Sequence, residues 1–143
     1  MISKLLCSTD GSKASAKGVE FACKFASQLD VEVVFIDVDT VTDSQLSGSH
    51  AYSQVMIEAS DEQIHKGLFA AKQTAEANNV NRYSCVSAQG LNIAATIIAY
   101  AEDHDYDHIV MGSTGKTGIS RILIGSIASD VVSKAHCPVT IVR

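Results

Sequence analysis

The stretch from residue 31 to residue 38, VEVVFIDV, constrains the fold of this 143-residue chain more than any other. It is rich in β-branched residues and nearly continuous in apolar character, whereas a strand with one wet face alternates apolar and polar residues. We therefore expect a strand that is covered on both faces. Such a strand belongs near the centre of a parallel sheet.

Strand and helix patterns alternate along the rest of the chain. The apolar patterns predict further strands at about 2–8, 82–89, 107–112 and 139–142, and helices at about 13–29, 55–79, 93–104 and from Gly125 to near His136. Ser12 and Asn92 are placed to cap the helices that follow them. This alternation favours an α/β fold with a parallel, doubly wound sheet and helices on both faces, formed by a single domain over residues 1–143.

Residues 39–54, DTVTDSQLSGSHAYSQ, are rich in Ser, Thr, Asp and Gly. A loop of this length is uncommon in a compact domain and is usually a lid, a binding loop or a disordered segment. The sequence leaves these three interpretations open.

A glycine-punctuated loop follows the strand at 107–112. Its glycines are Gly112, Gly115, Gly118 and Gly125. They remove Cβ where backbone amides can turn inward or approach a ligand closely. Lys116 and Arg121 lie in the loop, and no acidic residue occurs between Asp107 and Asp130. The local charge therefore favours phosphate or carboxylate, although a plain surface loop with glycines at its turns is the alternative.

Two common phosphate-binding motifs do not fit this chain. A Walker A loop requires a glycine five positions before Gly115, and Val110 stands there. A dinucleotide fingerprint requires GxGxxG after the first strand, where residues 8–15 read STDGSKAS. The Gly-Lys-Thr at 115–117 is therefore not evidence for a P-loop.

The predicted loops converge at the carboxyl edge of the sheet, where doubly wound folds bind ligands. Thr9 and Asp10 follow the first strand, residues 37–39 end the second, and residues 112–126 follow the fourth. Glycine amides and the start of the last helix suit phosphates. A carboxylate would repel them, so Asp10 is better placed to accept hydrogen bonds from ribose hydroxyls or from an adenine amino group. The backbone of Val38 can frame the base.

Composition excludes several other classes. The formal net charge of -5 gives no general attraction to nucleic acid or to an anionic membrane. No apolar stretch approaches the roughly 20 residues that span a bilayer, and the N-terminal apolar run is too short for a signal peptide, so we expect a cytoplasmic protein. The cysteines show no metal-ligand spacing and are expected to be small buried residues: Cys7, Cys23, Cys85 and Cys137.

The chain resembles the ATP-binding branch of the universal stress protein family. That branch has Gly, two residues, Gly, nine residues, then Gly followed by Ser or Thr, and residues 112–126 match this pattern in full. The resemblance extends over essentially the whole chain, including Asp10-Gly11-Ser12 and Cys137-Pro138-Val139. The chain departs from the family pattern at Ser8-Thr9, where a proline is commoner at the first position, and at Asp37, where histidine is commoner.

The resemblance implies a five-stranded parallel sheet of order 3-2-1-4-5, Rossmann-like and similar to the adenine nucleotide alpha hydrolases. It also implies ATP at the carboxyl edge, Mg2+ or Mn2+ on the phosphates, and a homodimer through the C-terminal strand at 138–143. Thr9, Asp10 and Val38 would then lie against the base and ribose. The ribose and phosphate path would comprise Met111, Gly112, Thr114, Gly115, Gly125, Ser126 and Ile127.

The sequence also bears on oligomerisation. The terminal strand would leave Val139, Ile141 and Val142 on an apolar edge that is free to pair with a second copy, which favours the dimer over the alternative of a monomer.

Catalysis is weakly supported by the sequence. The glycine loop contains no carboxylate or histidine that could position a water, so a nucleotide-dependent switch with slow or partner-dependent ATP hydrolysis is favoured. The alternatives are a true hydrolase or transferase, with a carboxylate from Asp37, Asp39 or Asp43, and a ligand-free dimeric scaffold. The five histidines lack catalytic or metal-ligand spacing and are expected to be structural.

Overall fold

The computed structural model describes residues 1–46, 52–57, 65–114 and 123–143. Its strands are β1 (Lys4–Ser8), β2 (Glu32–Thr40), β3 (Tyr52–Ile57), β4 (Tyr83–Gly90), β5 (His108–Gly112) and β6 (Val139–Val142). Its helices are α1 (Lys13–Leu29), α2 (Lys66–Ala77), α3 (Ile93–Asp103) and α4 (Ser126–Lys134), with a short 3-10 turn at Asp43–Gln45.

The six strands form one sheet in the order β3-β4-β2-β1-β5-β6. β4, β2, β1, β5 and β6 run parallel, which confirms the predicted order 3-2-1-4-5 for the parallel strands. The chain moves outward from β1 to β2 and β4 and then returns to β5 on the other side of β1. The strand order therefore reverses between β1 and β5, and the carboxyl ends of these strands border the switch point.

The prediction for residues 39–79 is partly wrong. β2 continues to Thr40, residues 52–57 form a strand rather than the end of a loop and the start of a helix, and α2 begins only at Lys66. β3 pairs antiparallel with β4, from Tyr52 opposite Gly90 to Ile57 opposite Cys85. It covers the backbone groups that β4 would otherwise leave unpaired at the sheet edge. Residues 47–51 and 58–64 lie outside the described part of the chain.

β2 is covered on both faces, as its apolar run predicts. Val33 and Phe35 are fully buried against the face that carries α1 and α2. Val34 and Ile36 are buried on the opposite face, in the core that also includes residues of α3 and α4. β2 therefore contributes side chains to two hydrophobic cores, one on each face of the sheet.

Local signals set most helix boundaries. α1 spans the predicted residues, and the Ser12 hydroxyl caps it by accepting a 3.1 Å hydrogen bond from the Ser15 amide. Asn92 caps α3 by accepting a 2.9 Å bond from the Ala95 amide. Both caps confirm the sequence prediction. Within the described ranges, none of the helices combines the length and apolarity needed to cross a membrane.

Candidate functional site

A cleft of about 1260 Å³ lies at the carboxyl edge of the sheet, at the switch point. It is bordered by the ends of β1, β2 and β5 and by the N-terminal ends of all four helices. Nine of the ten residues that the sequence nominated line it: Thr9, Asp10, Val38, Met111, Gly112, Thr114, Gly125, Ser126 and Ile127. The tenth, Gly115, lies outside the described residues, as do Lys116 and Arg121.

The turn between β1 and α1 forms one border of the cleft. Thr9 is buried; its amide donates to the Ile36 carbonyl at 2.9 Å, and its hydroxyl lies 3.1 Å from the Ser15 hydroxyl. The Asp10 carboxylate accepts a 2.9 Å bond from the Ser12 amide. Gly11 has a φ of +79°, a conformation that favours glycine. These bonds fix the direction of an exposed carboxylate at the edge of the cleft.

Gly112 permits α1 to pack directly on the end of β5. A Cβ at Gly112 would lie 2.5 Å from the Ala14 carbonyl oxygen and 2.9 Å from the Ser15 nitrogen. The glycine is therefore required by packing against α1. The sequence had suggested a different reason, namely close approach of the backbone to a ligand. The close contact places the first turn of α1 beside the loop that follows β5.

The two ends of that loop are held together next to the cleft. The Gly125 amide donates a 2.7 Å hydrogen bond to the Ser113 carbonyl, and the Ser113 amide donates to Val142 of β6 at 3.0 Å. Gly125 is the N-cap of α4, with φ of -61° and ψ of 161°, and provides no side-chain cap. The first bond within α4 runs from the Ser129 amide to the Gly125 carbonyl. The amides of residues 126–128 precede it and so have no partner within the helix.

The cleft has one wall that is mainly apolar. It includes Ile36 and Val38 from β2, Met111 from β5 and Ile127 from α4. Ile93 and Ile97 of α3 extend this wall. An apolar wall facing unpaired amides suits a ligand with a flat apolar part and an anionic part.

Sequence reasoning missed several of the residues that line the cleft, among them Ile93, Ile97, Ser15 and His65. Ile93 and Ile97 fall on the apolar face of the predicted helix at 93–104, and core positions and pocket positions on a helix share the same spacing. Ser15 carries no sequence signal beyond its place in α1. His65 had been placed inside a longer helix, whereas it is the N-cap residue of α2 and faces Asp37.

Groups away from the cleft serve the fold. Burial raises the pKa of the Cys23 thiol to about 12 and that of Cys85 to about 11, and Cys7 is likewise buried, which confirms the expectation for these three cysteines. His108, at the other end of β5, places Nε2 2.6 Å from the Thr140 hydroxyl, and burial lowers its pKa. In the described ranges, no three His, Cys, Asp or Glu side chains cluster to hold a metal ion.

A doubly wound sheet with a ligand-sized cleft at its switch point defines a class of α/β proteins that hold ligands beyond the carboxyl ends of their strands. Sequence comparison identifies the family. The universal stress protein family matches residues 1–143. The chain is 35% identical over 140 residues to a universal stress protein of Methanocaldococcus jannaschii, covering 98% of this chain and 81% of that protein. It is 31% identical over 151 residues to the universal stress protein YxiE of Bacillus subtilis, and that match covers 100% of each chain. The chain belongs to the universal stress protein family.

Solved structures of the family share the fold. UspA from Lactobacillus plantarum aligns with a TM-score of 0.73 at 24% identity and covers 99% of this chain and 97% of its own. A universal stress protein in complex with cAMP aligns at 0.70 with 17% identity, covering 99% and 97%. A protein from Archaeoglobus fulgidus in complex with dAMP aligns at 0.67 with 15% identity, covering 100% and 98%. At these identities the likeness establishes the fold.

Proposed function

We propose that the cleft binds an adenine nucleotide, with ATP as the ligand in the cell. The observation that carries this proposal is the start of α4, beside the cleft. Within the described residues, its glycine N-cap leaves the amides of residues 126–128 without a side-chain cap or an intrahelical partner. Such amides, with the positive end of the helix dipole, suit phosphate. The universal stress proteins solved with cAMP and with dAMP support an adenine nucleotide as the ligand class.

The charges along the cleft give the ligand a direction. Asp10, Asp37 and Asp39 border the β1 and β2 side. Lys13 and Lys66, at the starts of α1 and α2, also line the cleft, and the amides of α4 lie on the β5 side. A phosphate chain is repelled by carboxylates and attracted by helix amides, so the phosphates lie toward β5 and α4. The base then lies toward β2 against the apolar wall. Asp10, between the two ends, is placed to accept hydrogen bonds from the ribose hydroxyls.

A divalent cation on the phosphates suits the side chains at the β5 end. Ser113, Thr114 and Ser126 there carry hydroxyl oxygens, and Mg2+ and Mn2+ prefer oxygen ligands. When bound, the cation would neutralise phosphate charge. The chain's own residues would hold the nucleotide through the α4 amides and these hydroxyls.

We further propose that the protein acts as a nucleotide-dependent switch with slow or partner-dependent hydrolysis. Asp37 and Asp39 lie at the end of β2, separated from the phosphate end by β1, so they are poorly placed to activate a water at the γ-phosphate. The switch would work as a homodimer through β6. In the described part of the chain this strand pairs only with β5, and its side chains are all partly exposed.

The test is mass spectrometry of the nucleotide released from freshly purified protein, followed by calorimetric titration of the stripped protein with ATP and Mg2+. Uncleaved ATP in the purified protein supports the switch. Sustained turnover faster than about one per minute would favour a true hydrolase, since typical enzymes run faster than this. No released nucleotide and no binding on titration would refute the proposal and favour a ligand-free scaffold.

A further inference from the structure

A histidine and a carboxylate form a pair at the β2 end of the cleft. His65 Nδ1 lies 3.1 Å from Asp37 Oδ2, and the two side chains are 15% and 18% exposed. Both residues line the cleft. An ionised carboxylate can only accept a hydrogen bond, so the proton of this bond resides on Nδ1. In the neutral imidazole, Nε2 is then an acceptor.

The imidazole is held in place from two directions. Asp37 holds it from β2, and the start of α2 is packed tightly on the turn after β1. A Cβ at Gly67, two residues after His65, would lie 2.8 Å from the Gly11 nitrogen and 3.1 Å from the Thr9 hydroxyl oxygen. The Asp37 contact and this packing favour one position of the ring, with Nδ1 toward Asp37.

The pair has unused hydrogen-bonding capacity. Among the described residues, none bonds to His65 Nε2, and Asp37 Oδ1 is buried without a partner. Half-buried polar groups are normally satisfied by protein, water or ligand. Since Nδ1 is engaged by Asp37, the available polar atom of the ring is Nε2, which is an acceptor when the imidazole is neutral.

The pair lies at the end where the base of a bound nucleotide is expected. β1 stands between β2 and β5, so Asp37 is two strand spacings, about 10 Å, from the β5 end that suits phosphate. Phosphate is disfavoured near Asp37 and Asp39. Lys66 also lines this end of the cleft, so the preference there comes from the ring itself: a neutral Nε2 acceptor suits a part of the ligand that is uncharged and donates a hydrogen bond.

We propose that His65, oriented by Asp37, accepts a hydrogen bond from the exocyclic amino group of adenine and thereby selects adenine over hypoxanthine. This inference rests on the proposed nucleotide binding. Hypoxanthine has a carbonyl oxygen in place of the amino group and a proton on N1, so at the 6-position it would set an acceptor against the Nε2 lone pair. The Asp37–His65 pair is thus a specificity determinant, distinct from the amides that hold phosphate.

The experiment compares the dissociation constants of ATP and ITP by titration calorimetry. We expect the unmodified protein to bind ATP at least about 10-fold more tightly than ITP. ATP gains one hydrogen bond to Nε2, whereas ITP leaves this acceptor unpaired. His65→Phe keeps a flat ring but removes the acceptor. Asp37→Asn keeps the shape of the side chain but no longer dictates the tautomer of His65. Each variant should bring the ITP-to-ATP ratio close to one.

His136→Phe is the matched control, since His136 bonds the Tyr106 carbonyl at the opposite edge of the sheet. It should leave the ratio unchanged. An unmodified protein without preference, or variants that keep the original preference while still binding ATP, would overturn the role of His65 alone. Failure of the unmodified protein to bind either nucleotide would overturn the proposed function and this inference together.

Discussion

Replacing Gly125 with a residue whose side chain caps α4 should raise the stability of the protein and lower its affinity for phosphate. Its backbone is extended, with φ of -61° and ψ of 161°, so a residue with a side chain can occupy it without backbone strain. An added Cβ would lie 3.3 Å from the Ser113 carbonyl oxygen. Gly125→Asp and Gly125→Ala both add this Cβ, and they differ in the carboxylate. Comparing these two variants therefore separates capping from crowding.

The Asp carboxylate should cap α4 by accepting from the amides of its first turn. An Asp N-cap stabilises a helix relative to Ala by about 1 kcal/mol, so Gly125→Asp should unfold at a higher urea concentration than Gly125→Ala. The same carboxylate occupies donors that phosphate would use. Loss of one charge-assisted hydrogen bond costs about 1.5–3 kcal/mol, which predicts about 10- to 150-fold weaker ATP binding than in Gly125→Ala.

Urea unfolding of the two variants checks the predicted difference in stability, and titration calorimetry checks the predicted difference in ATP affinity. Equal ATP affinity in Gly125→Asp and Gly125→Ala, with the expected difference in stability, would show that the α4 amides do not hold phosphate. Equal stability would show that the first turn of α4 is not available for capping.

Three further predictions follow from packing, burial and pairing. Gly112→Ala should lose about 1–3 kcal/mol in urea unfolding, because its Cβ would lie 2.5 Å from the Ala14 carbonyl oxygen; an unchanged midpoint would contradict this packing. Burial lowers the pKa of His108 in the folded protein, so the unfolded chain takes up a proton first as the pH falls. The free energy of unfolding should therefore decrease as the pH falls below about 6.5. His108→Gln should make that decrease smaller. An unaltered pH dependence would show that another group causes it. On β6, the carbonyls of Pro138 and Val142 accept bonds from Ile109 and Ser113, so by alternation Ile141 presents its amide to the free edge. Ile141→Pro removes that donor and should give monomers in sedimentation, whereas Ile141→Val should not; dimers of both would exclude pairing through β6.

Local signals made much of the fold predictable. The apolar run of β2, the Ser12 cap of α1 and the residues 139–142 of β6 are visible in short stretches of sequence and were assigned closely. β3 was not, because three consecutive apolar residues at 55–57 fit a helix or a strand equally well. Its identity depends on the antiparallel partner β4, which lies about 30 residues further along the chain, and no local periodicity reports such a partner.

The candidate site divides in the same way. The glycines of residues 112–125 could be predicted from one short stretch of sequence, and Asp10 from another, the turn after β1. His65 and Asp37 are 28 residues apart, and only the fold brings them to 3.1 Å. Gly112 was nominated for a plausible but incomplete reason, since the carbonyl that excludes a side chain there belongs to α1. Contacts between distant segments are what the sequence alone did not reveal.

Ser113 connects the start of α4 to the terminal strand. Its carbonyl accepts from the Gly125 amide and its own amide donates to the Val142 carbonyl, so this one residue connects the proposed phosphate site to the proposed dimer edge. A ligand that shifts Gly125 can act on β6 through this residue, in addition to the direct packing of α4 on β6. Reciprocity then requires that the factor by which nucleotide strengthens association equals the factor by which association strengthens nucleotide binding. The apparent affinity for ATP should therefore vary with protein concentration, and the size of that variation would measure the coupling between the two sites.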